Sequence, residues 1–224
     1  MKIEILDYTK KPLTRIGENA SYCYSTKLKD KNHAKRIAIS CIKDGHGRNM
    51  EFADVTIKIS GISARMAREL GRHVIGTSYV QASTRYITYN NFDYYIPKGL
   101  TPEQADVYCK IMNNIQDGYN ALKELGCKND VTGYVLPLAM DTELVYKINV
   151  RALDHMYGVR ECTRALQEFR DFMKLLKQEL SQLDDEWQWI CDNCFKAKCK
   201  KQGYCDEGRG CGLYPKKEDV ISKM

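Results

Sequence analysis

The chain has 224 residues, enough for one sizeable domain or a domain with a small appendage. Hydrophobic residues make up 43% and charged residues 29%, the balance of a soluble globular protein, and no apolar run is long enough to span a membrane. The net charge of +6 suits anionic small molecules if the arginines converge. No basic run in the main body is interleaved with aromatic residues, so nucleic acid is not the expected partner, the lysines at 196–201 of the tail being the one stretch that could touch phosphate or nucleic acid.

Residues 2–7 alternate as a strand and do not read as a signal peptide, so a cytoplasmic location is expected. Residues 33–42 have helical spacing, with Ala34, Ile37, Ile39 and Cys41 as apolar positions. Residues 52–59 alternate with period two and predict a half-buried strand. A helix rich in Ala, Met and Arg follows over 63–70 and stops near Gly71. The aromatic stretch 85–96 is predicted to be extended and is stopped by Pro97. Thr101, Pro102 and Glu103 supply an N-cap, a first-turn proline and an acid. They open a helix whose apolar stripe includes Val107, Ile111, Tyr119 and Leu125 and ends at Gly126. Residues 130–134 read as a short helix or turn, 143–148 as a strand, 151–157 as a short helix and 162–183 as a long amphipathic helix. This order gives an α+β class.

The ten cysteines fall into two sets. Cys23, Cys41, Cys109, Cys127 and Cys162 are scattered and read as small buried hydrophobes. Cys191, Cys194, Cys199, Cys205 and Cys211 crowd the region beyond Trp187 and Trp189. Thiolates spaced this closely suit tetrahedral zinc or an iron–sulfur cluster, with redox-active or disulfide-forming cysteines as the alternative. The expected organisation is therefore a domain over 1–185 and a Cys-rich, metal-binding appendage over 186–224.

The stretch Arg72-His73, a spacer, then Ser83-Thr84-Arg85-Tyr86 carries the chemistry. Read singly, Arg and His at a helix end offset the helix dipole. Together they resemble the signature of the flavin-dependent thymidylate synthases, Arg-His-Arg followed by Ser-x-Arg-Tyr. Further matches occur in order. Gly45-His46 with Glu51, Asp93-Tyr94-Tyr95-Ile96-Pro97 and Val135-Leu136-Pro137-Leu138 are similar to family segments. So are Asn149-Val150-Arg151-Ala152-Leu153-Asp154-His155, then Arg160 with Ala165-Leu166-Gln167-Glu168-Phe169-Arg170. The likeness covers about residues 1–183.

It implies a mixed sheet with long helices and a homotetramer with shared active sites. It also implies a methyltransferase of nucleotide biosynthesis. Such an enzyme carries a one-carbon unit from methylenetetrahydrofolate to C5 of dUMP, giving dTMP, with FAD as cofactor and NADPH as reductant. Arg72, His73, Asn149, Arg151 and His155 would bind FAD. Glu69, Gln81, Ser83 and Arg85 would hold the deoxyuridine nucleotide. Arg160 would both bind the pyrimidine carbonyl and act in catalysis, stabilising charge on the ring oxygen. Five positions depart from the pattern: Val74 for a basic residue, Glu69 for Gln, Gln81 for Glu, Gly133 for a phosphate-gripping Arg, and Phe52 for His. Arg48 and Arg164 are candidate compensating cations. A same-fold flavoprotein acting on a different nucleotide or pyrimidine, or a non-catalytic homologue, is the alternative.

Overall fold

The computed structural model describes residues 1–222, so Lys223 and Met224 of the expected appendage lie outside the described residues. In chain order the elements are β1 (Lys2–Tyr8), α1 (Pro12–Ser21), α2 (Lys31–Lys43), β2 (Asp54–Ser63), α3 (Ala64–Leu70), β3 (Thr77–Gln81) and α4 (Pro102–Glu124). There follow α5 (Asn129–Thr132), β4 (Asp141–Asn149), α6 (Val150–Arg160), α7 (Gln167–Ser181), α8 (Asp185–Asn193), α9 (Lys198–Gln202) and α10 (Lys217–Ile221). This is the α+β class expected.

The strands form one sheet in the order β1-β2-β4-β3. Thr9 N–H donates to Asp54 O, and Met1 lies beside Gly61, so β1 and β2 run in opposite directions. Ala64→Met140 and Val150→Ala53 bonds bracket the β2/β4 pair. Ala82→Glu143 and Asn149→Gly76 bonds bracket β4/β3. The sheet is therefore antiparallel, not mixed. Parallel neighbours need a crossover that returns the chain to the same end of the sheet, and none of these pairs has one. The period-two pattern does bury one face: Val55, Ile57 and Ile59 of β2, and Leu144, Tyr146 and Ile148 of β4.

The chain divides into two units. One comprises Met1–Glu4, Lys58–Arg72 and Tyr79–Tyr146; the other comprises Ile5–Ile57, His73–Ser78 and the chain from Lys147 onward. In the first, a capping box between Thr101 and Gln104 opens α4. Only Met112 and Tyr119 of α4 are buried, while Val107, Ile111 and Leu125 of its apolar stripe stay exposed. The stretch 85–96 is not a strand. Its backbone is satisfied by α4 side chains instead: Tyr89 N–H donates to Tyr119 OH (3.0 Å) and Phe92 N–H to Gln116 Oε1 (2.8 Å). The ladder there shrinks to a single bridge between Tyr94 and Met140.

In the second unit α1 packs on α2 so closely that a Cβ at Gly17 would lie 1.8 Å from Ala34 O. Lys11 precedes α1 with φ 53, a left-handed conformation that costs a side-chain-bearing residue some strain. Contacts from α8 hold it there. Lys11 N–H donates to Asp184 Oδ2 (3.0 Å), while Asp184 Oδ1 caps α8 by accepting from Glu186 and Trp187 N–H. The buried Glu186 carboxylate accepts from Thr14 N–H (2.8 Å) and Thr14 Oγ1 (2.7 Å), at the positive end of α1. Trp187 is fully buried, and its Nε1–H donates to Thr9 O (3.0 Å). A boundary at residue 185 thus falls inside packed structure, and the first turns of the expected appendage are core.

Asp185 is bonded by Lys11 and by Lys35 (3.0 Å), linking α8 to α1 and α2. The Lys11 bond first, then the Lys35 bond, pull its carboxyl down from 3.8 to about 2. A depressed carboxylate stabilises the fold above its unfolded value, and that contribution is lost as pH falls through the folded one. Asp185→Asn is expected to flatten the decline of Tm between pH 3.8 and about 2. An acid limb identical to that of the parent chain would contradict this role.

Candidate active site

The strand β4 passes directly into α6, with Asn149 as the hinge. Asn149 N–H donates to Gly76 O (3.0 Å), and its Oδ1 accepts from Ala152 N–H (2.8 Å) to cap α6. A Cβ on Gly76 would come within 2.5 Å of Asn149 Nδ2, and Gly76 has φ +73, so glycine is required there twice over. The cap sets the phase of α6. Arg151 and His155 are four residues apart on one exposed face, and Arg160 ends the helix, where a cation meets the negative dipole end.

Arg160 Nε–H donates to His73 Nε2 (3.0 Å), and its guanidinium lies 4.8 Å from the centre of the buried Phe169 ring. In this pair His73 Nε2 is the acceptor. Its ring is 6.3 Å from that of His155 and 6.0 Å from that of Phe169. Thr77 Oγ1 donates to His73 O and fixes the loop. At the other end of α6, Arg151 pairs with Glu51 and borders a cavity of about 410 Å³ with His46, Arg48 and Asn49. The helical rise separates Arg151 from Arg160 by about 14 Å along the axis. A dinucleotide cofactor needs donors for its diphosphate and a separate place for its reactive ring. This donor set, with glycines 45 and 47 allowing close backbone approach, fits that demand.

In the first unit Glu69 and Gln81 line a cavity of about 640 Å³ together with Arg65, Arg68, Arg72 and Tyr79. Arg72, expected to serve the cofactor, is here, 3.7 Å from Glu69. Gln81 Nε2 donates to Thr142 Oγ1 (3.2 Å). Arg65 and Arg68 were not named from sequence; their helical spacing with Arg72 along one face was the available signal. Ser83 Oγ accepts from Arg85 N–H (3.2 Å). Arg85 pairs with Asp130 (2.7 Å) and holds that carboxyl below its ordinary value, beside a second cavity bordered by Thr84, Gly133 and Tyr134.

The five tail cysteines are not gathered into one site. Among the described residues no three His, Cys, Asp or Glu side chains are placed to hold a metal ion. Cys191 and Cys194 are three residues apart on and just after α8, which turns both into the core beside Trp187 and Ile190. Burial pushes each thiol up to about 12, so both behave as apolar groups. Cys199 and Cys205 are half-buried and Cys211 exposed. Of the scattered set, Cys41 is buried, Cys109, Cys127 and Cys162 are half-buried, and Cys23 is exposed. The buried-hydrophobe reading therefore fails for Cys23.

A family model described as thymidylate synthase complementing protein matches residues 4–184. The flavin-dependent thymidylate synthase of Thermococcus onnurineus is 30% identical over 225 residues, spanning 93% of this chain and 90% of that one. Its counterpart from Geobacter sulfurreducens is 32% identical over 192 residues, spanning 79% and 82%. The crystal structure of thymidylate synthase X from Helicobacter pylori with FAD and dUMP shares the fold, with a TM-score of 0.70 at 22% identity. It covers 88% of this chain and 100% of that one. The chain belongs to the flavin-dependent thymidylate synthase family. No helix among the described residues is long and apolar enough to cross a membrane.

Loss of the α6 cap gives a direct test of the hinge. Asn149→Ala is expected to lower stability by about 1 kcal/mol, whereas Asn149→Asp, which also caps, retains most of it. Equal melting temperatures for the alanine variant and the parent would show that the cap does not set the hinge.

Proposed function

We propose that the chain converts dUMP to dTMP, taking the one-carbon unit from methylenetetrahydrofolate, with FAD as cofactor and NADPH as reductant. The observation that carries this reading is the Arg160 guanidinium, held by His73 on one side and Phe169 on the other, in a chain of this family. When bound, FAD supplies the hydride chemistry. His73, His155, Asn149 and Arg151 would hold it, with Arg48 and His46 beside Arg151 offering further donors.

The chain's own residues bind and polarise. Arg160, fixed in direction by its bond to His73, stabilises the negative charge that develops on the pyrimidine carbonyl oxygen. Orienting a cation in advance avoids its reorganisation during reaction, which is where such a group gains its effect. Gln81, Ser83 and Arg85 hold the nucleotide. Arg65, Arg68 and Arg72 around Glu69 offset the carboxylate that replaces the family's neutral side chain. The working form is a homotetramer with shared sites, a reading supported by the exposed apolar residues Val107 and Ile111 on α4 and Leu125 at its end. All ten cysteines are unpaired, which suits the reducing cytoplasm.

A second reading, a same-fold flavoprotein for a different nucleotide or a non-catalytic homologue, is favoured by one position. Gly133 stands beside Thr84 and Arg85 without the phosphate-gripping side chain of the family pattern. Loss of one charge-assisted bond to phosphate costs about 1.5–3 kcal/mol.

Purified protein is expected to take up FAD and show flavin absorbance. It should release tritium from C5-labelled dUMP when methylenetetrahydrofolate and NADPH are supplied. Arg160→Ala should keep FAD and lose turnover by at least about a hundredfold. Protein that binds no FAD would refute the central assignment, and FAD binding without tritium release would select the second reading.

A further inference from the structure

Beyond the end of α6 a cavity of about 430 Å³ is lined by Arg160, Arg164 and three thiols, those of Cys162, Cys199 and Cys205. They come from different places. Cys162 is in the loop after α6, Cys199 is on α9, and Cys205 lies just past the left-handed Gly203 that ends α9. The tail is docked onto this loop and α6 by three bonds. Ala197 N–H donates to Glu161 Oε2 (2.7 Å), Arg164 pairs with Glu207, and Lys201 pairs with Asp154. All three thiols are unpaired and half-buried, so they are neither sealed in the core nor already cross-linked. Burial raises the Cys199 thiol, and the thiols of Cys162 and then Cys205 raise it further, which sets these sulfurs within each other's field. Catalysis as proposed above uses none of them.

We propose that Cys162 and Cys199 form a reversible dithiol–disulfide site, oxidised by a small-molecule disulfide, that fastens the tail to the loop following Arg160. Cys205 is the poorer partner. Its sulfur packs against Gly210, where an added Cβ would lie 3.2 Å from it, and its N–H is committed to Pro215 O (2.8 Å). A Cys199–Cys205 bond would close only a short loop within the tail, whereas Cys162–Cys199 joins the tail to the body of the unit.

The chemistry is balanced by the oxidant. One protein thiolate attacks the small disulfide, whose S–S bond breaks, giving a mixed disulfide and one small thiolate. The second protein thiolate attacks the protein sulfur of that mixed disulfide and expels the other small thiolate. Two protein thiols are oxidised, one small disulfide is reduced to two thiols, and the protons lost by the protein end on the released thiols.

The test uses the full chain incubated with oxidised glutathione, then alkylated and digested without reductant for mass mapping. The expected result is loss of two of the ten thiols, a Cys162–Cys199 cross-linked peptide, and its disappearance on treatment with dithiothreitol. Cys205→Ser should form the same cross-link. Cys162→Ser should instead accumulate a glutathione adduct on Cys199. A Cys199–Cys205 peptide, glutathione adducts without any cross-link in the native chain, or loss of the cross-link in Cys205→Ser would each overturn the proposal. The mapping on the native chain does not depend on any variant folding, and it needs neither FAD nor turnover.

Discussion

The arrangement of the candidate site depends on one junction, where Asn149 is at once the last residue of β4 and the cap of α6. No linker separates strand from helix. The strand's register, fixed by the Asn149 N–H bond to Gly76 O, therefore becomes the helix's rotational phase. A one-residue slip in the strand would turn the helix by about 100° and carry Arg151 and His155 off their shared face and Arg160 away from His73. Gly76 belongs to the same constraint, because any side chain there would strike the Asn149 amide that forms the cap. The sheet's pleat and the helix's pitch are thus coupled through a single side chain, and the positions most exposed to solvent depend on a local contact that looks purely structural.

At the far end of α6 the constraint is electrostatic. Arg160 gives its Nε–H to His73 and its guanidinium lies against Phe169, so the charge is oriented by an imidazole nitrogen and an aromatic face. At the near end Arg151 is held by Glu51 and shares its cavity with Arg48 and His46.

Where the sequence was legible, the information was local. The Thr101–Gln104 capping box, the alternation in β2 and β4 and the long amphipathic α7 all follow from residues within a few positions of each other. Where it was not legible, the determinant was distant. The helix α1 has no local cap; its N-terminus is satisfied by Asp184 and Glu186, more than 170 positions later. The stretch 85–96 has strand-like composition, but the N–H groups of Tyr89 and Phe92 bond to α4 side chains, so its aromatic density reports packing and not extension. The edge strand β3 is mostly exposed along its length and shows no alternation to read. The site residues were reached through ordered motifs and not through composition. Position alone could not have told that Arg72 faces Glu69 while its neighbour His73 meets Arg160.

The tail shows how environment overrides spacing. Cys191 and Cys194 have the separation of a metal-binding pair, yet three residues is also nearly one helical turn, and the turn faces inward. Once buried among Trp187 and Ile190, a thiol is worth more as apolar volume than as a ligand, because ionising it there is costly. The segment that follows continues the packing: Phe195 stacks on Tyr157 with ring centres 4.5 Å apart, and Phe195 O accepts from Lys177 Nζ (2.9 Å). These contacts join the tail to α6 and α7 before it reaches Cys199. The later cysteines consequently arrive at the end of the helix that carries Arg160, so the tail's value to the protein lies in what it brings to that end.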